Sequence, residues 1–362
     1  MNKNVLQNMN FEELTKDNNI GWARAREMSR DKPDNDIDVL FIIGRPFKIK
    51  SFEPVYEKLD VGAAYLPVRQ KARGINTTIP EANVDTIGDV DANIWDIDPK
   101  VVVANNYYNV HQNSFHNVYP LVMMHHGATL ANREELDGNK IRPCYEYADH
   151  YCAPGDLWED YIGPYTNTEI TITGLPEADT LVDSISPNNK TILFAPTNMR
   201  WGKGCFNNVA HNVIDTFKDT EWKLLFRPHP HDTHREKDNV AEECRERIED
   251  IDNIEFDDDR TPFESMKMSD ILITDDSGLL TEWLHTGRPV IQITDIKGKR
   301  DLKKVGVHSN NIPSVSFIDD LYNNGYGPWD EQIIENTLES LGIPMDGKSS
   351  ECVATIIESY CN

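Results

Sequence analysis

The sequence predicts an α/β fold in two halves, each built on a parallel sheet, and three observations carry that prediction. Short apolar runs rich in β-branched residues alternate with polar or helix-spaced stretches from Ile37 onward, the pattern of strands covered on both faces. The rhythm runs twice, and the stretch between its two passes, LVDSISPNNK at 181–190, has the Ser, Pro and Asn density of a linker. Residues 270–293, DILITDDSGLLTEWLHTGRPVIQI, spell a complete βαβ unit.

Taken in order, residues 1–36 form a peripheral N-terminal segment, with a possible amphipathic helix over 11–30 and a turn-rich connector after it. The first domain spans 37–182, with strands predicted at 38–43, 62–68, 100–104, 121–125 and 169–173. The second spans 188–330, with strands at 191–195, 223–226, 253–256, 271–274 and 290–294. Residues 331–362 are C-terminal helices, split at Gly342-Ile343-Pro344. Within the βαβ unit, Leu280, Trp283 and Leu284 share one face of a helix predicted over 279–286. Gly287 is its stop signal and Pro289 the break beyond it.

The same unit carries a candidate anion site. Its helix points its first turn, with unpaired N–H groups and the positive end of the dipole, at the carboxyl edge of a parallel sheet. Ser277 offers a hydroxyl donor there, and Gly278 has no side chain to hold a ligand off. The alternative is that Asp276 or Ser277 only caps the helix, which needs the same residue types. Both readings stand at this point.

Composition narrows the function classes. A hydrophobic content of 39% with 27% charged residues describes a soluble globular protein of 362 residues, enough for two domains. No run approaches the roughly 18 apolar residues of a membrane span. The opening MNKNVLQNMN lacks a signal-peptide core, so the expected location is cytoplasmic. The six cysteines contain no C-x-x-C pair, which gives neither a disulfide framework nor a zinc ribbon. A formal charge of −25 argues against nucleic acid and against binding to anionic lipid through a basic surface. A surface suited to high salt and an ordinary acidic protein both fit that charge.

Three further motifs fall at predicted strand ends, where open α/β sheets bind ligands. His125-His126-Gly127 closes one apolar run; a His at such a point is a base near neutral pH or a hydrogen-bonded turn residue. In Arg227-Pro228-His229-Pro230 two prolines fix the backbone around His229, while Arg227 serves either a phosphate or a buried ion pair. No acidic or Cys ligand completes a metal site with His229, His231 and His234. The loop from Ala195-Pro196-Thr197 to Gly204 holds Arg200 and Lys203 but lacks Walker A spacing.

Together, His126-Gly127, Ala195-Pro196-Thr197, Arg227-Pro228-His229-Pro230 and Thr274-Asp275-Asp276-Ser277 resemble, in order and spacing, the CDP-glycerol glycerophosphotransferases of teichoic-acid synthesis. The resemblance implies two facing Rossmann-type domains, the GT-B architecture, with the nucleotide diphosphate held by the second. It implies His126 as acid/base, and His229 and Ser277 on the pyrophosphate. One position departs: the second Ser of the family's T-D-x-S-S turn is Gly278 here. Asp276-Ser277-Gly278 followed by Glu282 is similar instead to the D-S-G-G-x-x-E turn of UDP-N-acetylglucosamine 2-epimerases, where the Glu meets ribose hydroxyls. Their H-R-x-E-N loop is replaced by Asn198-Met199-Arg200-Trp201.

The expectation is therefore a GT-B-like transferase moving a glycerol phosphate-like polyol phosphate from a CDP-activated donor to an acceptor hydroxyl in cell-surface polymer or glycan synthesis. The expected catalytic residues are His126 and His229. The expected donor-binding residues are Arg200, Arg227, His229, Ser277, Gly278, Leu279 and Glu282. No metal or cofactor is expected beyond the nucleotide-activated substrate. The acceptor is lipid- or glycan-linked, with peripheral placement at the inner membrane face left open. A nucleotide-sugar glycosyltransferase or 2-epimerase is the alternative on the same scaffold. A non-catalytic nucleotide-binding or assembly protein is the alternative of another class, with Trp201, Trp283 and Trp329 in its core or partner surface.

Overall fold

The computed structural model describes residues 37–43, 49–67, 99–105, 119–125, 127, 148–182, 184–199, 204–230, 232–233, 239–294, 306–324 and 338–362. These fall into two compact units, one drawn mainly from 37–125, 148–179 and 341–362, the other from 180–340.

In the first unit the chain runs β1 (Val39–Ile43), α1 (Ile49–Tyr56), β2 (Ala63–Pro67), β3 (Val101–Ala104), β4 (Leu121–Met123), β5 (His150–Ala153), α2 (Asp156–Ile162) and β6 (Glu169–Ile172). The six strands form one sheet in the order β2-β1-β3-β4-β5-β6, parallel throughout, with Val39 opposite Ala63 on one side and Val101 on the other. Its centre is apolar on both faces: every residue of β3 is buried, and Phe41 packs against Phe52, Tyr56 and Tyr65 at ring separations of 5.1, 5.9 and 5.4 Å. The C-terminal residues return to this unit. Asp179 accepts the amides of Ser349 and Ser350, at 3.0 and 2.7 Å, at the start of the last helix (Ser349–Ser359). Such a carboxylate satisfies N–H groups that have no partner within the helix.

The second unit runs β7 (Thr191–Phe194), α3 (Phe206–Phe217), β8 (Lys223–Phe226), α4 (Val240–Ile248), β9 (Ile254–Phe256), α5 (Pro262–Lys267), β10 (Ile271–Thr274), α6 (Gly278–Leu284), β11 (Val290–Ile293), β12 (Val307–Ser309) and α7 (Val315–Asn324); the helix at Ser349–Ser359 is then α8. The strand order is β12-β11-β10-β7-β8-β9, again parallel. Helix α3 shows why such segments fold: Phe206, Val209, Ala210, Val213, Ile214 and Phe217 recur at helical spacing and are all buried. Helix α5 opens on a capping box, Thr261 with Glu264.

Ten strands lie where the sequence predicts them, most shortened by one residue or two at an end. Two strands were not predicted. β5 reads HYCA, where His and Tyr break the apolar pattern; all four residues are nonetheless buried, and His150 Nε2 is 2.9 Å from Thr171 Oγ1. β12 is a three-residue edge strand with one fully buried position, too short for any periodicity.

The linker-like stretch before β7 belongs to the second unit. Asp270 gathers it, accepting Ser186 Oγ at 2.8 Å and the amides of Asn188, Asn189 and Thr191 at 2.8, 3.1 and 3.0 Å. Asn188 and Lys190 sit there at φ of 49° and 57°, a strained region for side-chain-bearing residues. Among the described residues no helix is long and apolar enough to cross a membrane.

Candidate functional site

The second sheet has the topology that creates a ligand crevice. From β7 the chain builds outward through β8 and β9, then returns to lay β10, β11 and β12 on the other side. In such a sheet ligands bind beyond the carboxyl ends of the strands where the order reverses, here between β7 and β10. The segments leaving β10, β7 and β8 begin at Asp275, Ala195 and Arg227. Three adjacent parallel strands at about 4.8 Å spacing bring these segments to one edge within about 10 Å. They are the stretches that hold three of the motifs.

Asp275 joins two of them. Its carboxylate is fully buried and accepts the Thr197 amide through one oxygen and the Cys205 amide through the other, both at 2.8 Å. Burial pushes its pKa up to about 6, against the pull of these hydrogen bonds, and neighbouring Asp276 pushes the same way. Thr274 Oγ1 donates to the Ala195 carbonyl at 2.7 Å, tying the same strand ends. The β8 segment is tied in by Asp232, which receives the Met199 amide at 3.1 and 3.0 Å and gives its own amide to the His229 carbonyl at 2.7 Å.

Ser277 is the N-cap of α6: at φ −78° and ψ 149° its Oγ accepts the Leu279 amide at 3.3 Å. The capping reading thus describes its geometry. It does not use up the hydroxyl, because an oxygen accepting one hydrogen bond keeps its own proton to donate. Gly278 is the first residue of α6, in a backbone conformation open to any residue, so the turn itself does not require a glycine. One turn further in, Glu282 is entirely buried. Trp283 is buried too, its indole N–H donating to the Arg288 carbonyl at 3.0 Å, which makes it a core residue.

Arg227 turns towards β9 and α5. Its guanidinium donates to Asp257 Oδ2 at 3.0 Å and to the Arg260 carbonyl at 2.9 Å. Asp257 is buried and also receives Ser265 Oγ at 2.5 Å and Arg260 Nη1 at 3.1 Å. Of the two roles open to Arg227, the ion pair is the one this geometry contains. His229 is half-buried on the turn held by Asp232.

His126 and Arg200 lie outside the described residues, as do Lys203, Trp201 and Trp329. In the first unit the preceding residue, His125, follows β4 with its ring 5.9 Å from that of Tyr151 and 6.1 Å from that of Trp158. Among the described residues no cluster of His, Cys, Asp or Glu is placed to hold a metal ion. Sequence reasoning missed Asp275 and Asp232 as organisers of the site. For Asp275 the local signal was an acidic residue directly after an apolar strand, which many turns share; Asp232, six residues beyond β8, had none.

Comparison with known proteins agrees with the motifs. Residues 157–299 match the family model of CDP-Glycerol:Poly(glycerophosphate) glycerophosphotransferase. A sequence search of curated proteins finds no match. Among solved structures the chain is similar to the wall teichoic acid polymerase TagF, at 15% identity over 97% of both chains with a TM-score of 0.61. It is also similar to S. aureus MnaA solved with UDP, at 17% identity over 90% of this chain and 96% of that one, TM-score 0.56. A third similar structure is the UDP-GlcNAc 2-epimerase from Neisseria meningitidis bound to UDP-GlcNAc, at 16% identity over 89% and 99%, TM-score 0.56. At such identities the structures establish the fold, which is α/β and GT-B-like. The family match supports a transferase over the epimerase alternative, and over residues 157–299 the chain is similar to the CDP-glycerol glycerophosphotransferases, the family its four motifs resemble.

Proposed function

We propose that this protein transfers glycerol phosphate from CDP-glycerol to an acceptor hydroxyl, releasing CMP. One observation carries the reading: the residues matched by the glycerophosphotransferase family include those that build the switch-point crevice between β7 and β10, with Ser277 and Gly278 at its edge. The donor's pyrophosphate lies against the start of α6, receiving the Ser277 hydroxyl and the amides of the first turn. Gly278, which the backbone does not need as glycine, leaves room for the phosphate to approach.

The acceptor oxygen attacks the phosphorus that bears glycerol, and the bond from that phosphorus to the bridging oxygen breaks. CMP carries away the electron pair of that bond. The acceptor's proton goes to His126, a base whose ordinary pKa near roughly 6.5 suits neutral pH. His229, on the donor's side, offsets charge building on the departing phosphate. Arg200 neutralises the diphosphate. Arg227 contributes from behind, holding the turn that carries His229 through its pair with Asp257. The donor is itself the activated substrate, so the reaction needs no separate cofactor. A lipid- or glycan-linked acceptor, with the protein peripheral at the inner membrane face, fits this chemistry.

The test is CMP release from CDP-glycerol in the presence of a panel of glycerol phosphate-primed acceptors, with UDP-GlcNAc as the rival substrate. Turnover of CDP-glycerol is expected. Turnover of UDP-GlcNAc alone would transfer the chain to the epimerase reading, and nucleotide binding without turnover of either to the assembly reading.

A further inference from the structure

The loop that follows β7 is closed on itself, and this closure is built from outside the loop. Thr197 and Cys205, at its two ends, present their amides to the two oxygens of one buried carboxylate, Asp275. At the same place Gly204 presses on the opposite limb: a Cβ there would stand 2.5 Å from the Thr197 carbonyl oxygen and 3.1 Å from Met199 Sδ. That is closer than a carbon and a backbone oxygen tolerate, so the limbs touch only because residue 204 lacks a side chain. Asp232 takes the Met199 amide on the outer side. The two described limbs of the loop, 195–199 and 204–205, are therefore held together at the switch point by the segments leaving β10 and β8.

We infer that Asp275 is a positioning residue for donor binding: by fastening both ends of the loop after β7 to the turn before α6, it fixes the walls of the diphosphate crevice before the donor arrives. This rests on the transferase reading above and extends it to a residue that need not touch the donor. The cost of ordering a loop is then met in folding instead of in binding, which is how preorganisation raises affinity. Burying an ionised carboxylate is unfavourable. Burial and the neighbouring charge of Asp276 oppose ionisation of Asp275, while the two amides it receives and the Cys205 thiol favour it, and the balance leaves it ionised at neutral pH. Protonation would leave one amide with a poor acceptor and release one limb of the loop.

The test is the affinity for CDP-glycerol from roughly pH 5 to 7.5, measured by calorimetry for the parent, Asp275→Asn, Asp232→Asn and Gly204→Ala. CDP-glycerol is the right probe because each of its phosphates carries one ester and the shared anhydride, leaving a single strongly acidic oxygen, so neither titrates in that range. The parent's affinity is expected to fall as pH drops through about 6. Asp275→Asn, which cannot accept both amides, is expected to bind on the order of tenfold more weakly at neutral pH and to lose that step. Gly204→Ala and Asp232→Asn should weaken binding while keeping the step. Parent-like affinity in Asp275→Asn, or a retained step, would overturn the inference while leaving the transferase reading in place. If Asp275→Asn does not fold, parent-like binding in the other two variants would overturn it equally. A parent that binds no CDP-glycerol at any pH removes both.

Discussion

Arg227 and Asp257 form an ion pair at 3.0 Å in which the carboxylate side chain is wholly buried and the arginine side chain is 14% exposed. Removing Arg227 takes one charge-assisted hydrogen bond from the buried Asp257 carboxylate and leaves it with Arg260 Nη1 and Ser265 Oγ. Arg227→Ala should lower unfolding stability by about 1.5–3 kcal/mol, read from urea denaturation, with donor binding impaired as the His229 turn loosens. Unchanged stability with donor affinity lost would instead place Arg227 directly on a phosphate.

Ser277 caps α6, and its proposed second task, donating to the diphosphate, is separated from the first by measuring stability and binding in one variant. Loss of its cap on the Leu279 amide should cost about 1 kcal/mol of stability. Loss of its donated hydrogen bond should weaken CDP-glycerol binding by about 1–2 kcal/mol. Gly278→Val should weaken binding further by filling the space a phosphate needs. Donor affinity unchanged in both variants, with stability reduced only in the first, would leave Ser277 a cap alone.

The raised pKa of Asp275 has a stability consequence opposite in sign to its role in binding. Its carboxyl titrates near 3.8 when unperturbed and at about 6 in the folded chain. Between those values the folded protein holds a proton that the unfolded chain has released. The stabilisation this provides is complete below the lower value and is lost as pH rises through the higher one. The stability of the parent relative to Asp275→Asn should therefore decline from about pH 4 to about pH 6 and then level off. Urea unfolding of both proteins across that window checks it, and a constant difference would show that the carboxyl titrates normally.

The two histidines proposed for catalysis should respond differently. His126→Ala is expected to lower turnover by roughly 10²–10⁴ with donor affinity nearly unchanged, since its task is the acceptor's proton. His229→Ala should reduce donor binding and turnover together. Rates and donor dissociation constants for both variants separate the roles; full activity in His126→Ala would require another base.

Asp270 should prove a stability residue without catalytic effect. It receives Ser186 and the amides of Asn188, Asn189 and Thr191, and these contacts hold Asn188 and Lys190 in their left-handed conformation. Asp270→Ala should cost about 3 kcal/mol by denaturant unfolding, with kcat preserved once folded.

The sequence by itself determined the two-sheet α/β class, ten of the strands described here, the βαβ unit around Ser277 and the motifs that match the glycerophosphotransferase family. These are readable because each depends on near neighbours: strand and helix periods, a cap, a glycine stop. Tertiary structure alone decided what those motifs do to one another. Asp275 lies 78 residues from Thr197 and 70 from Cys205, and Arg227 lies 30 from Asp257. No local pattern distinguishes a carboxylate that will close a distant loop from one that ends a turn in water. Likewise HYCA became an interior strand, between β4 and β6, because its neighbours in the sheet buried it, His and all. The crevice follows from the order in which parallel strands add to β7, and that order arises only when segments far apart in the chain are packed side by side.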